Sequence, residues 1–563
     1  MARRLIAPWV LAAALGMSSC LFHEGSQVSG PGTGDETPNS IAGILETKSG
    51  PAAFQLVQLI PADSDQTSGD TAAYQVSTDA NGAYFFAKLA AGTYNVFAWN
   101  TEKNLQALIQ GVVYQERDGA IRLPRKVMNP PGALLISLAD SSFAAGGHLY
   151  LPGTRVFHVL AAEDMRTGWV TLSPVPEGIY PRVLYVGPGG ANSRNLAVTQ
   201  VAVSPGDTSR LDAYAGWAHS AKVILNTSAA GAGVAEDVAN FPLLVRLDGT
   251  NFDFSQAQAD GRDIRFAGAD GLRGLPFEIE RWDAANHQAE IWVRMDTISG
   301  GSESQFLRVY WGKPQAADAS SGKEVFDTQD FFGVWHLEGA GGNNPDGFMD
   351  ATAQGNHGTG ASMPPNDGSE GVVGRGQGFD GGYVSGNFSH PPGGDGDFGA
   401  AFWMKTKLDT GRMWVMNVGA DTASNGFHFL VRPDSLSQFG IWATGIVQAQ
   451  ERQNIFSLSP FLKDWVHVAT VYDSASRILT TYINGTQMDK DTISFFHIDY
   501  AKGFSFGKRF PDWVDISGQV QSDLQGALDE VRFFARAPTA AWIKLSYENQ
   551  KASSRMERLE PER

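Results

Sequence analysis

A single cysteine, Cys20, in 563 residues excludes intramolecular disulfides and every zinc site built from several thiolates. Charged residues are sparse at 18%, the formal net charge is −17, and no Lys/Arg block lies beyond Arg3 and Arg4. The chain therefore lacks the electrostatic footprint of a nucleic-acid binder. Long apolar runs are missing too: Leu5 to Met17 spans 13 residues and contains Pro8, short of the ~20 that a membrane-spanning helix needs. Neither a P-loop nor an H-E-x-x-H pair occurs. Present in quantity are glycine (64) and proline (27), in a chain that is 42% hydrophobic and 11% aromatic. That mixture is too apolar for disorder and is punctuated like a turn-rich β protein of several domains.

Arg3-Arg4, the short apolar run and the small residues Ser18-Ser19 make an export signal over 1–19. Met17-Ser18-Ser19-Cys20 resembles a bacterial lipobox. That resemblance implies lipidation at Cys20 and attachment to a membrane through acyl chains, each buried methylene contributing ~0.8 kcal/mol. Residues 20–40 are mostly Gly, Ser, Pro, Thr and acid, a flexible tether.

Gly82-Ala83-Tyr84-Phe85-Phe86 leads to Gly92-Thr93-Tyr94, and Gly168-Trp169-Val170-Thr171-Leu172 leads to Gly178-Ile179-Tyr180. In each, Gly to Gly is 10 residues and Gly to Tyr is 12, with the copies 86 apart. A period of this length is a small domain, read as a strand, a glycine turn at positive φ and a second strand starting at Tyr. The first copy, with Ser77-Thr78-Asp79-Ala80-Asn81 before it, resembles a carboxypeptidase regulatory-like (prealbumin-like) β-sandwich over 41–124. The second resembles it more loosely over 127–214.

Eleven of the 14 tryptophans lie at or beyond Trp217. Phe241, Leu243, Val245 and Leu247 alternate as in a half-buried strand. Asp260-Gly261-Arg262-Asp263-Ile264-Arg265-Phe266, Leu275-Pro276-Phe277-Glu278-Ile279-Glu280, Ala289-Glu290-Ile291-Trp292-Val293 and the closing Val334-Trp335-His336-Leu337 resemble a bacterial β domain of unknown function. It is assigned to 217–330. Over 331–552, Gly378-Phe379-Asp380-Gly381, Ala401-Phe402-Trp403-Met404, Trp465-Val466-His467-Val468, Tyr482-Ile483-Asn484-Gly485 and Leu528-Asp529-Glu530-Val531 resemble a concanavalin A-like/laminin-G-like jelly roll. Asn484-Gly485 predicts a two-residue type I′ hairpin. Residues 540–547 predict one helix packed on the end of the sandwich, and 553–563 a polar tail. The expected fold is all-β: a multidomain chain of β-sandwiches ending in a jelly roll.

No catalytic residues emerge. Gly503-Phe504-Ser505-Phe506-Gly507 fits G-x-S-x-G, but Lys508-Arg509-Phe510-Pro511 cannot start the helix a nucleophile elbow requires. Gly374-Arg375-Gly376-Gln377-Gly378 lacks the helix of a dinucleotide loop. Glu278 and Glu280 share a strand face that reads as solvated, while Asp529 and Glu530 alternate to opposite faces, so neither pair makes a glycosidase dyad. The jelly-roll resemblance implies a calcium site with Asp350, Asn356 and Asp529 as ligands; hydrogen-bonded turns are the alternative. For stacking on sugar rings the candidates are Trp513, with Trp442 and Trp414 behind it.

The expected function is a non-catalytic, lipid-anchored protein of the cell envelope, on the outer membrane of a Gram-negative bacterium and exposed at the surface. It would bind extracellular polysaccharide or glycan through the jelly roll. A structural spacer or protein-binding envelope protein is the alternative, and an unrecognised glycoside hydrolase the third reading. Nothing in the sequence bears on oligomeric state.

Overall fold

The computed structural model describes residues 40–561, apart from 66–73, 116–118, 139–142, 192, 197–199, 215, 328, 340, 366–369, 407–411, 420–425, 432–435, 443–451, 458–463, 494–496 and 509–520; of 436–442 and 452–457 it describes the backbone. The architecture is all-β, and the chain divides into two compact units, Met1–Leu211 and Asp212–Arg563.

In the first unit, Ser40–Thr47 pairs antiparallel with Ala83–Ala87 and parallel with Ala120–Arg122 and Lys126–Val127. A second sheet runs Tyr74–Ser77, Leu56–Pro61, Gly92–Asn100, Leu105–Tyr114. Tyr84 and Phe86 alternate into the core with Ile41, Val57, Leu59 and Val96. The 86-residue repeat has a physical basis here, but not entirely the expected one. Gly82 and Gly168 hold left-handed φ of 78° and 72° before the strands Ala83–Ala87 and Trp169–Val175. Gly92 and Gly178 are not positive-φ turns; they already open the second strand of each copy. At Gly92 a Cβ would stand 3.2 Å from the Tyr94 ring, whereas at Gly178 the tight contact would be with Gln110 Oε1 at 3.0 Å and Tyr180 would lie at an ordinary 3.5 Å. The Tyr94 hydroxyl donates to the Ala90 carbonyl at 2.9 Å, and Tyr180 donates to Pro176 at 2.7 Å. Each tyrosine ties its strand to the backbone four residues upstream.

The second unit contains both the 217–330 region and the jelly roll. One upstream sheet runs Gly274–Leu275, Arg265–Ala267, Phe306–Trp311, His219–Leu225, Glu557–Pro561. The other runs Val238–Asp248, Gln288–Ile298, Phe277–Asp283. Residues 553–563 are thus not a free polar tail, since Glu557–Pro561 pairs along His219–Leu225. The jelly roll is two facing sheets. One runs Phe331–Trp335, Gln525–Phe534, Phe398–Thr406, Val466–Asp473, Ile478–Ile483, Thr486–Thr492. The other runs Thr359–Ala361, Tyr383–Gly386, Phe504–Phe506, Arg412–Val418, Gly426–Val431, Leu436–Trp442, Arg452–Ser457. Phe402, Phe429, Trp335, Phe504 and Phe533 fill the space between them. Asn484 and Gly485 take φ of 49° and 72°, as the hairpin requires.

One core runs through the upstream sheets and into the jelly roll. Helix Ala540–Gln550, capped by the Thr539 hydroxyl accepting from the Trp542 amide, joins them. Trp542 lies 5.2 Å from Phe241 upstream and 5.1 Å from Phe534 of the jelly roll. The helix therefore packs between the two regions and not on a free end. It also explains why Val238–Asp248 is buried on both faces at Leu243, Leu244 and Val245 instead of half-buried. That strand is a sheet edge, and Asn549 satisfies it: Oδ1 accepts from the Leu244 amide at 2.7 Å, and Nδ2 donates to its carbonyl at 3.0 Å.

Candidate functional site

On the second jelly-roll sheet, Thr359 pairs with Ser385 and Ser385 with Ser505 across three adjacent strands. Directly opposed residues share a face. Val384, Phe504 and Phe506 turn into the core, so the three hydroxyls lie in a row on the other face, with Ser505 buried at its end and donating to the Lys508 carbonyl. Tyr383, two residues before Ser385, adds an aromatic ring on the same side, with Lys508 Nζ 4.9 Å over it. Asp346, His357, Asn387 and Lys502 complete a cleft of about 520 Å³. Its lining mixes hydroxyls, an amide, a carboxylate, an ammonium and an aromatic ring. Such a lining suits a neutral ligand rich in hydroxyl groups.

The loop carrying His357 is held by the residues expected to ligate calcium. Asp350 Oδ1 accepts from the Val334 and Thr352 amides at 2.9 and 3.0 Å. Its Oδ2 accepts from the Thr352 hydroxyl and the Asn356 amide at 2.9 and 2.8 Å. Asn356 Nδ2 donates to Phe332 O at 2.7 Å, and its Oδ1 accepts from the Ser389 amide at 2.8 Å. Turn hydrogen bonds account for both residues, and Asp529 does not join them. The loop positions His357, whose Nδ1 accepts from the Asp350 amide at 3.0 Å.

Asp529 belongs to a second cluster, where two strand-face expectations need correction. Glu530 has a φ of 52°, at a bulge where Gln525–Phe534 slips against Phe398–Thr406. Alternation fails there, and Asp529 and Glu530 lie in one electrostatic cluster. Glu278 and Glu280 do share a face, but it is not solvated: the Glu280 side chain is 1% exposed. Both reach His336. Glu280 Oε2 lies 3.4 Å from Nδ1, Glu530 Oε1 2.5 Å from Nδ1, and Glu278 Oε2 3.2 Å from Nε2. Burial alone would depress His336, but Glu530, Glu280 and Glu278 together hold it well above its ordinary value. Glu530 is buried as well, yet His336 and Arg532 bring it down to about 2. Burial, then the charge of Glu530, pushes Glu280 and Asp529 well up.

Among the stacking candidates, Trp414 is excluded: it is 3% exposed inside Arg412–Val418 and packs on His428 at 5.3 Å. Trp442 ends Leu436–Trp442 with its side chain outside the described residues, and Trp513 and Cys20 lie outside them altogether. Ser505 sits in the Phe504–Phe506 strand and donates to the Lys508 carbonyl at 2.7 Å, which is not a nucleophile elbow. Sequence reasoning missed Tyr383, His357, Asn387 and Lys502, which come from separate segments with no shared motif. His336 stood inside a quoted block without drawing notice.

Residues 377–544 match the Concanavalin A-like lectin/glucanases superfamily, and residues 260–337 match a domain of unknown function (DUF2341). The C-terminal jelly roll is thus concanavalin A-like in sequence as well as in fold. No curated protein matches the chain. Among solved structures, it is similar to the binding domain of botulinum neurotoxin serotype D, with 14% identity, 39% of this chain and 52% of that one covered, and a TM-score of 0.31. It is also similar to domain 4 of AbnA, a GH43 extracellular arabinanase from Geobacillus stearothermophilus solved with arabinotriose, with 16% identity, 38% and 98% covered, and a TM-score of 0.28. The chain spans about half the length of the toxin domain.

Proposed function

We propose that this is a non-catalytic binding protein whose jelly roll takes carbohydrate in the Tyr383 cleft. The observation that carries this reading is the cross-strand row Thr359–Ser385–Ser505 beside an aromatic ring in a concave, polar site. Hydroxyls and amides match sugar hydroxyls in both donor and acceptor roles, and the ring covers C–H faces. A site of this size binds single glycans weakly, roughly millimolar to micromolar. The full chain should be retained on at least one insoluble polysaccharide or glycan-array spot. Combining Tyr383→Ala with Asn387→Ala should weaken retention at least about tenfold, near 1.4 kcal/mol, with an unchanged melting temperature. Equal retention of the double variant, or no glycan retaining the wild type, would turn the reading toward a spacer or protein binder.

The same reading places the protein on the cell envelope through lipid at Cys20, supported by Arg3-Arg4, the short apolar run and Ser18-Ser19. Many copies on one membrane would turn weak sites into firm attachment. Cys20→Ala should move the protein from the membrane to the soluble fraction. Unchanged membrane retention removes the anchor from the reading.

A further inference from the structure

We propose that Glu280, His336 and Glu530 form a binding site for one first-row divalent transition-metal ion, of which zinc is the type. The site is separate from the cleft and buried where the upstream sheets meet the jelly roll. Strand Phe277–Asp283 supplies Glu280, the residue after Phe331–Trp335 is His336, and the bulge in Gln525–Phe534 turns Glu530 inward. One ligand atom from each lies within 4.8 Å of the others. One imidazole nitrogen with two carboxylate oxygens is a donor set for zinc and its neighbours, whereas calcium prefers oxygen alone. In a tetrahedral zinc site with bonds of about 2.0–2.2 Å, ligand atoms stand roughly 3.3–3.6 Å apart. Nδ1 and Glu280 Oε2 already stand 3.4 Å apart, and the 2.5 Å contact to Glu530 would open to admit the ion.

Two further observations separate this site from a bare acidic cluster. Glu280 Oε1 and Asp529 Oδ1 are buried without a hydrogen-bond partner, and each belongs to a side chain at most 1% exposed. A buried carboxylate oxygen left so is costly unless something cationic meets it. The charge balance points the same way. Among the described residues, His336 and Arg532 are the cations set against Glu278, Glu280, Asp529 and Glu530, while Arg281 pairs with Glu290 and acts with Arg375 on the neighbouring Glu338. Glu338 adds a further carboxylate nearby. A divalent ion would offset that excess.

The ligands are also fixed from behind, as metal ligands generally are. Trp292 Nε1 donates to Glu280 Oε2 at 2.6 Å, and Arg532 Nη2 donates to Glu530 Oε2 at 2.5 Å. The amides of Val372 and Val373 hold Asp529 Oδ2 at 2.6 and 3.0 Å. The glycine-rich loop dismissed as a dinucleotide motif closes over the cluster: a Cβ on Gly374 would stand 2.7 Å from Glu280 Oε1. On one side the cluster reaches solvent, where the His336 and Glu278 side chains are 12% and 18% exposed.

The test uses the full chain, stripped with chelator and titrated with zinc, with cobalt as a spectroscopic probe. One equivalent should bind, cobalt should give a visible d–d band, and the melting temperature should rise and fall again on chelation. Glu280→Gln keeps the size and the Trp292 hydrogen bond, so it should fold normally while binding zinc at least about tenfold more weakly. His336→Gln should abolish the cobalt band. Unaltered zinc binding in Glu280→Gln, or a wild type that binds no zinc and melts identically with and without it, overturns the site and leaves a proton-bridged carboxylate cluster. Glycan retention by the cleft is read separately, so the two proposals fail independently.

Discussion

Edge-on to Trp403 at a ring distance of 5.1 Å, the His467 imidazole is 1% exposed and its Nδ1 has no partner. Burial, reinforced by Arg532, depresses it to about 3. The folded state therefore holds this ring neutral while the unfolded chain protonates near its ordinary 6.5. Between those values the unfolded state binds more protons, so stability rises with pH through the window. It is fully present above about 6.5 and falls, well below it, by about 1.4 kcal/mol per unit. Urea unfolding between pH 5 and 6.5 should show that slope reduced by about this amount in His467→Leu. Parallel slopes in the two proteins would mean that the imidazole finds a partner or water. The local sequence is consistent with burial, since His467 lies between Val466 and Val468 in the apolar strand Val466–Asp473. For Trp414 the local pattern did not decide: the ring is buried against His428 of the paired strand Gly426–Val431, a contact that its own strand does not reveal.

Regular elements were legible from local pattern. Alternation at Tyr84 and Phe86, the Asn484-Gly485 hairpin and the helix expected over 540–547, which runs on to Gln550, each rest on contacts within a few residues. The candidate site was not legible in that way, for two reasons. A bulge disturbs the side-chain alternation, so Glu530 contacts His336 while Asp529, assigned to the opposite face, lies within electrostatic reach of both. Burial also depends on what covers a face. Glu278 and Glu280 looked solvated because the groups covering them, His336 and Glu530, follow 58 and 250 residues later, respectively. The cleft has the same character: Tyr383 and Ser505 are neighbours only once two strands pair. The Asp350 loop was legible as a compact Asp/Asn turn, and its hydrogen bonds hold it as a buttress behind His357.

At the scale of the molecule, the boundary drawn between residues 330 and 331 cuts through a core. Phe241, Trp292 and Phe326 on one side pack with Phe331, Phe534 and Trp542 on the other. The helix that closes the jelly roll places Asn549 against Leu244, and Trp403 donates to Gln550 Oε1 at 2.7 Å. The last strand, Glu557–Pro561, returns to His219–Leu225. A fragment of 331–552 would expose Trp542, Phe331 and Phe534, and each buried large side chain contributes about 1.5–3 kcal/mol. Losing three or four such contacts removes a large part of the ~5–15 kcal/mol that holds a domain folded. A fragment of 212–563 keeps every one of them. It should melt in one cooperative transition followed by near-UV circular dichroism, while 331–552 should show no cooperative transition or aggregate. A sharp transition of 331–552 near the midpoint of 212–563 would show that the jelly roll carries its own stability and that the shared core only docks it.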